Sequence, residues 1–593
     1  MLSLFKNLKK RDLFILLVCA GLIVLQVWLE LKMPDYTAKL TTIVQSGTKT
    51  GTASMDDVWK NGALMLACAG GSLVSAVLCS VLISRVASSF SKTLREKLFA
   101  KISTFSIAEM KRFSVSSLIT RTTNDVMQMQ NFTAMGIQLL IKAPVMAIWA
   151  ICKISATNLQ WTLAVVISVA VIVVCVIVLV SVALPRFRKI QRLTDEINNV
   201  TRESVSGVRV VRAFNAEDYQ ENKFENVNDK ITKNHLFTSR AMGLMSPVMT
   251  LIMNGLTLAI YFIGALLINE IVFKGDITAL IIERGEVVGQ MTAFTQYAMQ
   301  VVMSFMMLII IFIILPRTAV SGNRIAEVLK TSPSIVGADK PVQTEKSGEI
   351  KFRDVSFTYE DANNKEMALS NISFKVKKGE TLAIIGATGS AKSTLINLIP
   401  RFYDVTSGEV LVDGINVKDY PEIQLRDKIS YASQKAVLFK GTIKDNIVYG
   451  SEIIDNDKIE KALEISQADF VNDLEKRLEA PVAQGGTNFS GGQKQRLSIA
   501  RAIYKDAEII IFDDTFSALD YKTDMLVRKS IKENLKDKTV IIVAQRIGTI
   551  KEADKILVLD EGKIVGQGKH EELLKNCPLY KEIALSQLSK EEL

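Results

Sequence analysis

The segment Gly386-Ala387-Thr388-Gly389-Ser390-Ala391-Lys392-Ser393 follows an apolar run, Thr381–Ile385, and precedes a stretch with helical periodicity. A buried strand, a glycine-containing loop and a helix in this order are typical of a phosphate-binding loop. Its glycines let backbone N–H groups turn toward phosphate oxygens, Lys392 can reach the β- and γ-phosphates, and the Ser393 hydroxyl can bind Mg²⁺. The second half of the chain is therefore predicted to be an α/β nucleotide-binding domain.

Ala391 stands before the lysine, where this type of loop usually has glycine. A methyl group is tolerated there if the backbone φ angle stays negative, so we expect nucleotide binding to survive. The bare pattern also occurs by chance in unrelated proteins. The strand before it and the helix after it favour the functional interpretation.

A second apolar strand, Ile509–Phe512, ends in Asp513 and Asp514. An acidic residue that closes a buried strand near a phosphate-binding loop is the expected second anchor for Mg²⁺. The alternative is an ordinary turn at the end of a strand. The phosphate-binding loop upstream favours Asp513 as a metal ligand.

The first half of the chain has a different composition. The whole chain has 593 residues, 48% of them hydrophobic and 23% charged, and its mean hydropathy is +0.23. These values exclude a disordered chain and disfavour an entirely soluble protein. Six apolar stretches, most long enough to cross about 30 Å of hydrocarbon, precede residue 320. They are Leu13–Leu29, Gly62–Ile83, Met135–Cys152, Trp161–Leu184, Leu244–Ile268 and Thr292–Leu315.

Basic residues give these spans an orientation. The net charge is +10, and lysines and arginines cluster before the first span, between the second and third, and after the fourth. Such clusters face the cytoplasm. The basic excess is thus explained by membrane topology, and we predict no nucleic-acid partner.

The lengths of the connections predict helices that extend beyond the membrane. The segments 84–130 and 185–243 are long and polar, whereas the connection near Ser155–Gln160 is short. We expect helices two to five to continue into the cytoplasm and to meet in short turns. The predicted fold is an α-helical transmembrane domain of six spans with long cytoplasmic extensions, plus an α/β P-loop NTPase domain. The predicted boundaries are 1–318 for the spans, 319–347 for a linker and 348–593 for the nucleotide-binding domain.

The segment Ser490-Gly491-Gly492-Gln493 lies 97 residues after Ser393 (490 − 393) and before the strand that ends at Asp513. It resembles the signature motif of ATP-binding cassette (ABC) proteins. With six spans before a C-terminal cassette, the whole chain resembles a half-size ABC exporter of the multidrug type. The predicted NTPase domain is then of the ABC type.

The resemblance implies roles for further residues. Tyr359 resembles the aromatic residue that stacks on adenine, Gln434 the glutamine that senses Mg²⁺ and the γ-phosphate, and Gln545 stands in the place of the switch histidine. The implied cofactors are ATP and Mg²⁺, with Ser393, Gln434 and Asp513 as metal ligands. The implied nucleotide-binding residues are Tyr359, Gly386, Ala387, Thr388, Gly389, Ser390, Ala391, Lys392, Ser393, Thr394 and Gln434.

Two departures from the family pattern fall on the implied catalytic residues. The family has glutamate where this chain has Asp514, and histidine where it has Gln545. Aspartate is one methylene shorter, so its oxygens retreat by about 1.5 Å. Glutamine can donate a hydrogen bond but cannot carry a proton. Gln484, where many relatives have an acidic residue, is a third and weaker departure.

In the family, two cassettes meet head to tail, and each ATP lies between one chain's phosphate-binding loop and the other chain's signature. Here the signature Ser490–Gln493 is intact, whereas the hydrolytic residues of the same chain are altered. The resemblance therefore implies a second, non-identical half-exporter subunit as partner, which supplies the competent glutamate and histidine. The alternative is a homodimer in which Asp514 and Gln545 are harmless variation.

The cargo is less constrained by the sequence. Lys142 lies within the third span, where a charge is costly and usually faces a cavity or a partner, so it either lines the pathway or pairs with another helix. Methionines at helical spacing suit an adaptable apolar pocket, but they also suit plain packing or lipid contact. The candidate pathway residues are Lys142, Met249, Met253, Met299 and Met303.

The resulting hypothesis is ATP-driven export of amphipathic or hydrophobic small molecules across the cytoplasmic membrane of a bacterium. The cassette is expected in the cytoplasm and the spans in contact with membrane lipid. One alternative keeps the family and changes the cargo to a lipid or peptide. Another is an ATP-binding membrane regulator with little transport.

Overall fold

The computed structural model describes residues 2–50, 55–155, 159–271, 277–338, 340–359 and 366–588. The chain divides into two compact units. The first contains Met1–Ser103 and Ser116–Thr331, and the second contains Thr104–Val115 and Ser332–Leu593.

The first unit is helical, and its described residues contain six helical stretches that are long and apolar enough to span a membrane. They confirm the six predicted spans and extend well beyond the apolar cores, the second reaching Ser103 and the fourth Ser206. The turn predicted near Ser155–Gln160 includes residues 156–158, which lie outside the described residues. The helices of this unit are α1 Leu2–Phe5, α2 Lys10–Thr50, α3 Met55–Ser103, α5 Val115–Thr120, α6 Val126–Asn131, α7 Ile137–Ser155, α8 Leu159–Ser206, α9 Val208–Ala213, α10 Glu217–Gly243, α11 Met245–Glu270 and α12 Ile277–Lys330, numbered so that α4 falls in the second unit.

The last long helix of the first unit runs past the predicted domain boundary at 318. Helix α12 continues through Pro316 to Lys330, and the division between the units follows Thr331. The apolar residues Ile325 and Val328 of this last stretch are fully buried. Proline is tolerated inside such helices when neighbouring helices satisfy the freed backbone groups, so α12 continues past Pro316.

Helices α5, α6 and α7 form one stretch interrupted by two π-helical turns, Arg121–Asp125 and Phe132–Gly136. The first turn is tied to α12. The Arg121 guanidinium lies 2.8 Å from the Glu327 carboxylate, and Ser321 donates a 2.7 Å hydrogen bond to Asp125. These polar contacts fix the register between the third and the last long helix.

The second unit contains two main sheets. A six-stranded sheet has the order β12-β11-β3-β10-β9-β6, with parallel pairing except at β12, and a four-stranded antiparallel sheet has the order β2-β1-β4-β5. Strands β7 and β8 form a small ribbon. The strands are β1 Ile350–Phe357, β2 Leu369–Val376, β3 Thr381–Gly386, β4 Ser407–Val412, β5 Ile415–Asn416, β6 Ile429–Ala432, β7 Gly441–Thr442, β8 Pro481–Val482, β9 Ile509–Asp513, β10 Thr539–Val543, β11 Lys555–Asp560 and β12 Lys563–Gly568.

Helices cover the six-stranded sheet, and apolar residues of its central strands are buried on both faces. Continuous β-branched runs are typical of parallel strands buried on both sides. The carboxyl ends of β3, β9 and β10 therefore meet at one edge, which is where ligands bind in such sheets. The helices are α4 Ile107–Phe113, α13 Lys392–Asn397, α14 Glu422–Asp427, α15 Ile443–Ile447, α16 Asn456–Ile465, α17 Gly491–Tyr504, α18 Tyr521–Asn534, α19 Ile547–Ile550, α20 His570–Asn576 and α21 Pro578–Gln587.

Helix α4 belongs to this second unit although long helices of the first unit precede and follow it in the chain. Ser106 begins α4 with a capping box, in which Glu109 accepts from the Ser106 backbone at 2.8 Å. The other oxygen of Glu109 accepts from the Ser334 backbone at 3.0 Å. The buried carboxylate of Glu109 thus joins this helix to the segment that leads into β1.

Candidate nucleotide site

The phosphate-binding loop connects the end of β3 to the start of α13, as the sequence predicts for such a motif. The Lys392 ammonium folds back over the loop and donates 2.8 Å hydrogen bonds to the carbonyls of Gly386 and Ala387. Burial lowers the pKa of Lys392, against the opposing effect of the nearby Asp514 and Asp513 carboxylates. A bound polyphosphate would supply the negative charge that this buried ammonium lacks.

Gly386 and Gly389 of the loop differ in how much space surrounds them. A Cβ atom on Gly386 would collide with the Leu559 carbonyl, so this position needs glycine for close strand packing. Gly389 has φ +89° and nothing within 4 Å of an added Cβ, so its backbone faces open space. An open, glycine-bearing turn at the start of a helix suits an anionic group.

Ala391 has φ +67° and ψ +26°, which is the left-handed region. The expectation that φ would stay negative is therefore wrong, because the loop must reverse direction immediately before α13. A left-handed conformation costs an alanine roughly 1–2 kcal/mol. The loop therefore adopts this conformation despite the backbone strain at Ala391.

Asp513 ends β9 and receives two hydroxyl donors. Ser393 donates to one carboxylate oxygen at 2.9 Å and Tyr431 to the other at 3.0 Å. Burial raises the pKa of Asp513, with the two hydroxyl groups acting in the opposite direction. The Ser393 hydroxyl and the Asp513 carboxylate are adjacent hard oxygen donors, which fits Mg²⁺. Tyr431, which the sequence analysis missed, holds this carboxylate in place.

Asp514 follows immediately, yet its environment differs. Its backbone is left-handed, with φ +46°, and its side chain is buried. Gln434 donates to the Asp514 Oδ2 atom at 3.0 Å, and Gln545 donates to the same atom at 2.8 Å. The structure therefore brings together three residues that the sequence placed 80 and 31 positions apart.

Gln545 is itself positioned by a residue that the sequence analysis did not identify. The side-chain amide of Gln587, at the end of α21, donates to the Gln545 carbonyl at 2.8 Å and accepts from the Ile547 N–H at 2.8 Å. Both ends of one amide thus hold the loop that carries Gln545. No sequence signal identifies this contact, because the two segments are 42 residues apart.

Tyr359 lies on the other side of the site, beside α13. Its hydroxyl shares a 2.9 Å hydrogen bond with Thr394, and its ring packs edge-on against Phe357 and Tyr403. The Lys111 ammonium of α4 lies 4.9 Å from the centroid of the Tyr359 ring. A cation over an aromatic face is attractive, so α4 contacts the residue for which the family resemblance implies stacking on adenine.

A cavity of about 840 Å³ joins these features. It falls within the range of small-molecule sites and is large enough for a nucleotide. Gly386, Ala387, Ser390 and Asp513 are absent from its lining, and none of the four signature residues reaches it in the described part of the chain. The sequence-predicted residues that line it are Tyr359, Thr388, Gly389, Ala391, Lys392, Ser393, Thr394, Gln434, Asp514 and Gln545.

The signature segment forms the N-terminus of α17. Ser490 is the N-cap residue, and its backbone and side chain exchange hydrogen bonds of 2.9 and 3.3 Å with Gln493. Ser490 and Gly491 are exposed to solvent. A capped, exposed helix start presents its positive end outward, as a group that contacts a phosphate on another chain would require.

The candidate pathway residues lie in the first unit. Lys142 forms a 3.0 Å ion pair with Glu30 of α2, a partner that the sequence analysis did not name. Met249 is buried in the helical core, Met253 packs against it, Met299 is half-buried and Met303 is exposed.

Two family models match the chain. The model for the ABC transporter transmembrane region matches residues 13–305, and the ABC transporter model matches residues 369–517. The chain is a half-size ABC exporter. Its transmembrane domain precedes a cassette that is an ATPase coupled to transport, and the assembly is embedded in a membrane with the cassette in the cytoplasm.

Relatives span nearly the whole length of this exporter. An uncharacterized ABC transporter ATP-binding protein of Mycobacterium tuberculosis is 38% identical over 94% of this chain and 93% of its own length. An ATP-dependent lipid A-core flippase of Paraburkholderia xenovorans is 33% identical over 82% of this chain and 79% of its own. A solved structure of a bacterial Atm1-family ABC exporter with ATP bound has a TM-score of 0.77 and 22% identity, covers 97% of this chain and 100% of its own, and shows the same fold.

Proposed function

We propose that this exporter works as one half of a heterodimer that moves amphipathic or hydrophobic small molecules out across the cytoplasmic membrane. In this proposal the chain binds MgATP at its own phosphate-binding loop and hydrolyses it slowly. Its signature, Ser490–Gln493, completes the competent site of a non-identical partner. Binding of ATP closes the two cassettes, and hydrolysis at the competent site reopens them.

The hydrogen bonds to the Asp514 carboxylate are the main observation in support of the proposal. Its carboxylate is one methylene shorter than the glutamate of the family, and its Oδ2 atom already accepts hydrogen bonds from Gln434 and Gln545. A general base must have an oxygen within reach of the attacking water. A retreat of about 1.5 Å, combined with two amide donors on the same oxygen, argues for slow chemistry at this site.

Gln545 reinforces this asymmetry. Its amide can hold Asp514 in place, but it cannot accept and release a proton as an imidazole can. Both changes lie on one side of the cassette, whereas the capped start of α17 keeps the family sequence. This chain has altered hydrolytic residues and an intact signature. It therefore suits a partner that supplies the glutamate and histidine of a competent site.

The polar and aromatic groups that the described residues bring together suit ATP and Mg²⁺. Lys392 and the open turn at Gly389 suit the phosphates, Ser393, Asp513 and Gln434 suit the metal, and Tyr359 suits adenine. The bound nucleotide supplies the preference for the closed state that drives transport.

The cargo class is the least constrained part of the proposal. Methionines on α11 and α12 suit an adaptable apolar pathway, and Lys142 adds a charge within the spans. One relative is an ATP-dependent lipid A-core flippase, so lipid export is the second candidate within the family. A regulator that binds ATP with little transport remains the alternative in a different functional class.

ATPase measurements on the purified chain, alone and co-expressed with a partner half-exporter, test the proposal. We expect binding of MgATP but slow turnover by the chain alone, and rapid turnover by the pair. Brisk hydrolysis by the chain alone would contradict the heterodimer. ATP-dependent accumulation of a lipophilic dye in inside-out vesicles distinguishes a pump from a regulator.

A further inference from the structure

A polar face runs along the outer half of α2. Lys9, Lys10 and Arg11 mark the cytoplasmic end of this helix, so the residues beyond the apolar stretch that ends at Leu29 lie toward the outer side. Glu30 pairs with Lys142 at 3.0 Å, and Asp35 pairs with Lys153 at 2.8 Å. Both lysines are on α7, so the two pairs form successive neutral contacts between α2 and α7.

A cavity of about 470 Å³ lies beside the second pair, between α2, α7 and α12. Lys32, Lys39 and Lys153 line it, with Asp35 as the sole carboxylate among the described lining residues. Its volume falls within the range of small-molecule pockets. The cavity therefore has a positive charge excess at the outer end of the membrane unit.

The single carboxylate of this cavity is already engaged. Lys153 donates to the Asp35 Oδ2 atom at 2.8 Å, and the Tyr297 hydroxyl donates to its Oδ1 atom. Asp35 therefore has little capacity left to neutralise the other two lysines.

Lys32 and Lys39 contact aromatic rings instead. The Lys32 ammonium lies 5.8 Å from the centroid of the Trp28 ring, and the Lys39 ammonium 5.8 Å from that of Tyr36. Within the described ranges, neither ammonium forms an ion pair with a carboxylate. Two positive charges thus remain available to an anionic ligand.

Apolar residues of α12 complete the cavity. Ala293 and Phe294 line it and are themselves buried in the helical core. Apolar lining with a few polar groups that fix orientation is typical of small-molecule sites. A ligand that matches both the lysines and the apolar surface of this cavity has an acidic headgroup attached to an apolar body.

From these observations we infer that the outer cavity binds the acidic headgroup of an amphipathic anion, such as an alkyl phosphate. Lys32 and Lys39 contact the anionic group, and the surface of Ala293 and Phe294 contacts the start of the apolar body. The inference rests on the proposed export function and makes anionic amphiphiles its preferred cargo. A resident anionic lipid of the outer leaflet has the same chemistry, so the experiment must separate the two sources.

The first experiment measures binding to the full-length chain in nanodiscs of zwitterionic lipid, without ATP. The probes are a fluorescent dodecyl phosphate and a dodecyl trimethylammonium with the same label. We expect the phosphate to bind about tenfold more tightly, and this preference to weaken with salt because the charges are near solvent. The double variant Lys32→Gln/Lys39→Gln should lose the preference, whereas the control Lys9→Gln/Lys10→Gln, at the other end of α2, should keep it.

The second experiment assigns the source. If the ligand is the cargo, the Lys32→Gln/Lys39→Gln variant loses efflux of the phosphate probe and keeps efflux of the ammonium probe. If the ligand is a resident lipid, mass spectrometry finds less co-purified anionic lipid in the variant, and efflux of both probes is unchanged. Both results support an anion-binding outer cavity. They differ in whether the cargo or a resident lipid occupies it.

Equal binding of the two probes, or equal loss of preference in the control variant, would overturn the inference. Because binding is measured without ATP or a partner, it is independent of the heterodimer. If the pair exports dyes but the probes bind equally, the cavity inference fails and the proposed function stands. If the phosphate preference is present but the pair neither exports nor hydrolyses ATP, the proposed function fails.

Discussion

The cassette contains two half-sites that differ in how far they keep the family sequence. The N-terminus of α17 has the intact signature and a complete capping box between Ser490 and Gln493. The edge formed by β9 and β10 has Asp514 in place of glutamate and Gln545 in place of histidine, joined by a 2.8 Å hydrogen bond. The two regions differ in that the signature keeps the residues of the family pattern, whereas two hydrolytic positions depart from it.

The largest expected effect comes from damage to the intact half-site. In the proposed heterodimer, Ser490→Arg removes the cap and places a bulky side chain where a phosphate of the partner's ATP is proposed to lie. Steady-state ATPase activity should fall on the order of 10²-fold, as when a preorganised donor is lost. Ser586→Arg, which makes the same substitution at an exposed position of α21, should leave activity within twofold of the wild type, about 0.4 kcal/mol. Equal losses in both variants would show that the effect is not specific to the signature.

Repair of the altered half-site should have the next largest effect. Asp514→Glu restores the missing methylene, and turnover at the slow site should rise about tenfold, with Gln545 still limiting the rate. Single-turnover hydrolysis by the chain alone measures this change. Asp513→Glu is the matched control and should lower turnover, because Ser393 and Tyr431 both contact that carboxylate. An unchanged rate in Asp514→Glu would mean that carboxylate length is not what slows this site.

The contact between α21 and the Gln545 loop allows a finer test. Gln587→Leu removes two hydrogen bonds, each worth about 0.5–1.5 kcal/mol, and frees the loop. In the Asp514→Glu background, single-turnover hydrolysis should fall severalfold while the Kd for MgATP changes little. Gln567→Leu, on the exposed side of β12, is the control. A parallel loss of ATP binding would indicate general damage to the cassette instead of misplacement of Gln545.

The smallest expected effect concerns backbone strain. Ala391→Gly relieves the left-handed alanine but increases the freedom of the unfolded chain, for a net gain of about 0.5 kcal/mol. The thermal midpoint of the detergent-purified protein should rise by a degree or two, consistent with this gain. Ala387→Gly makes the same change at a residue that is not at positive φ and should lower the midpoint. A fall in both variants would show that the strain at Ala391 is not significant.

Sequence patterns predicted the parts of this molecule that local chemistry determines. The loop around Lys392, the strand that ends at Asp513 and the six apolar stretches are each encoded in a short continuous segment. The structure confirms the spans and brings the loop and the strand end together. Such segments are predictable because their function requires particular residue types at fixed spacing.

The remaining features depend on contacts between distant segments. The partner of Lys142 is Glu30, 112 residues away, and the clamp on Gln545 comes from Gln587. Neither pairing leaves a periodic signal. Helix α12 continues through Pro316 past the predicted boundary at 318, and the φ angle of Ala391 depends on the turn that joins β3 to α13.

The most direct test of the central claim is to purify the native assembly through a tag on this chain and to identify the nucleotide on each subunit after one round of hydrolysis. We predict a 1:1 assembly with a different half-exporter, with ATP retained at the phosphate-binding loop of this chain and ADP at that of the partner. An assembly of two identical copies of this chain that hydrolyses ATP rapidly at both sites would contradict it.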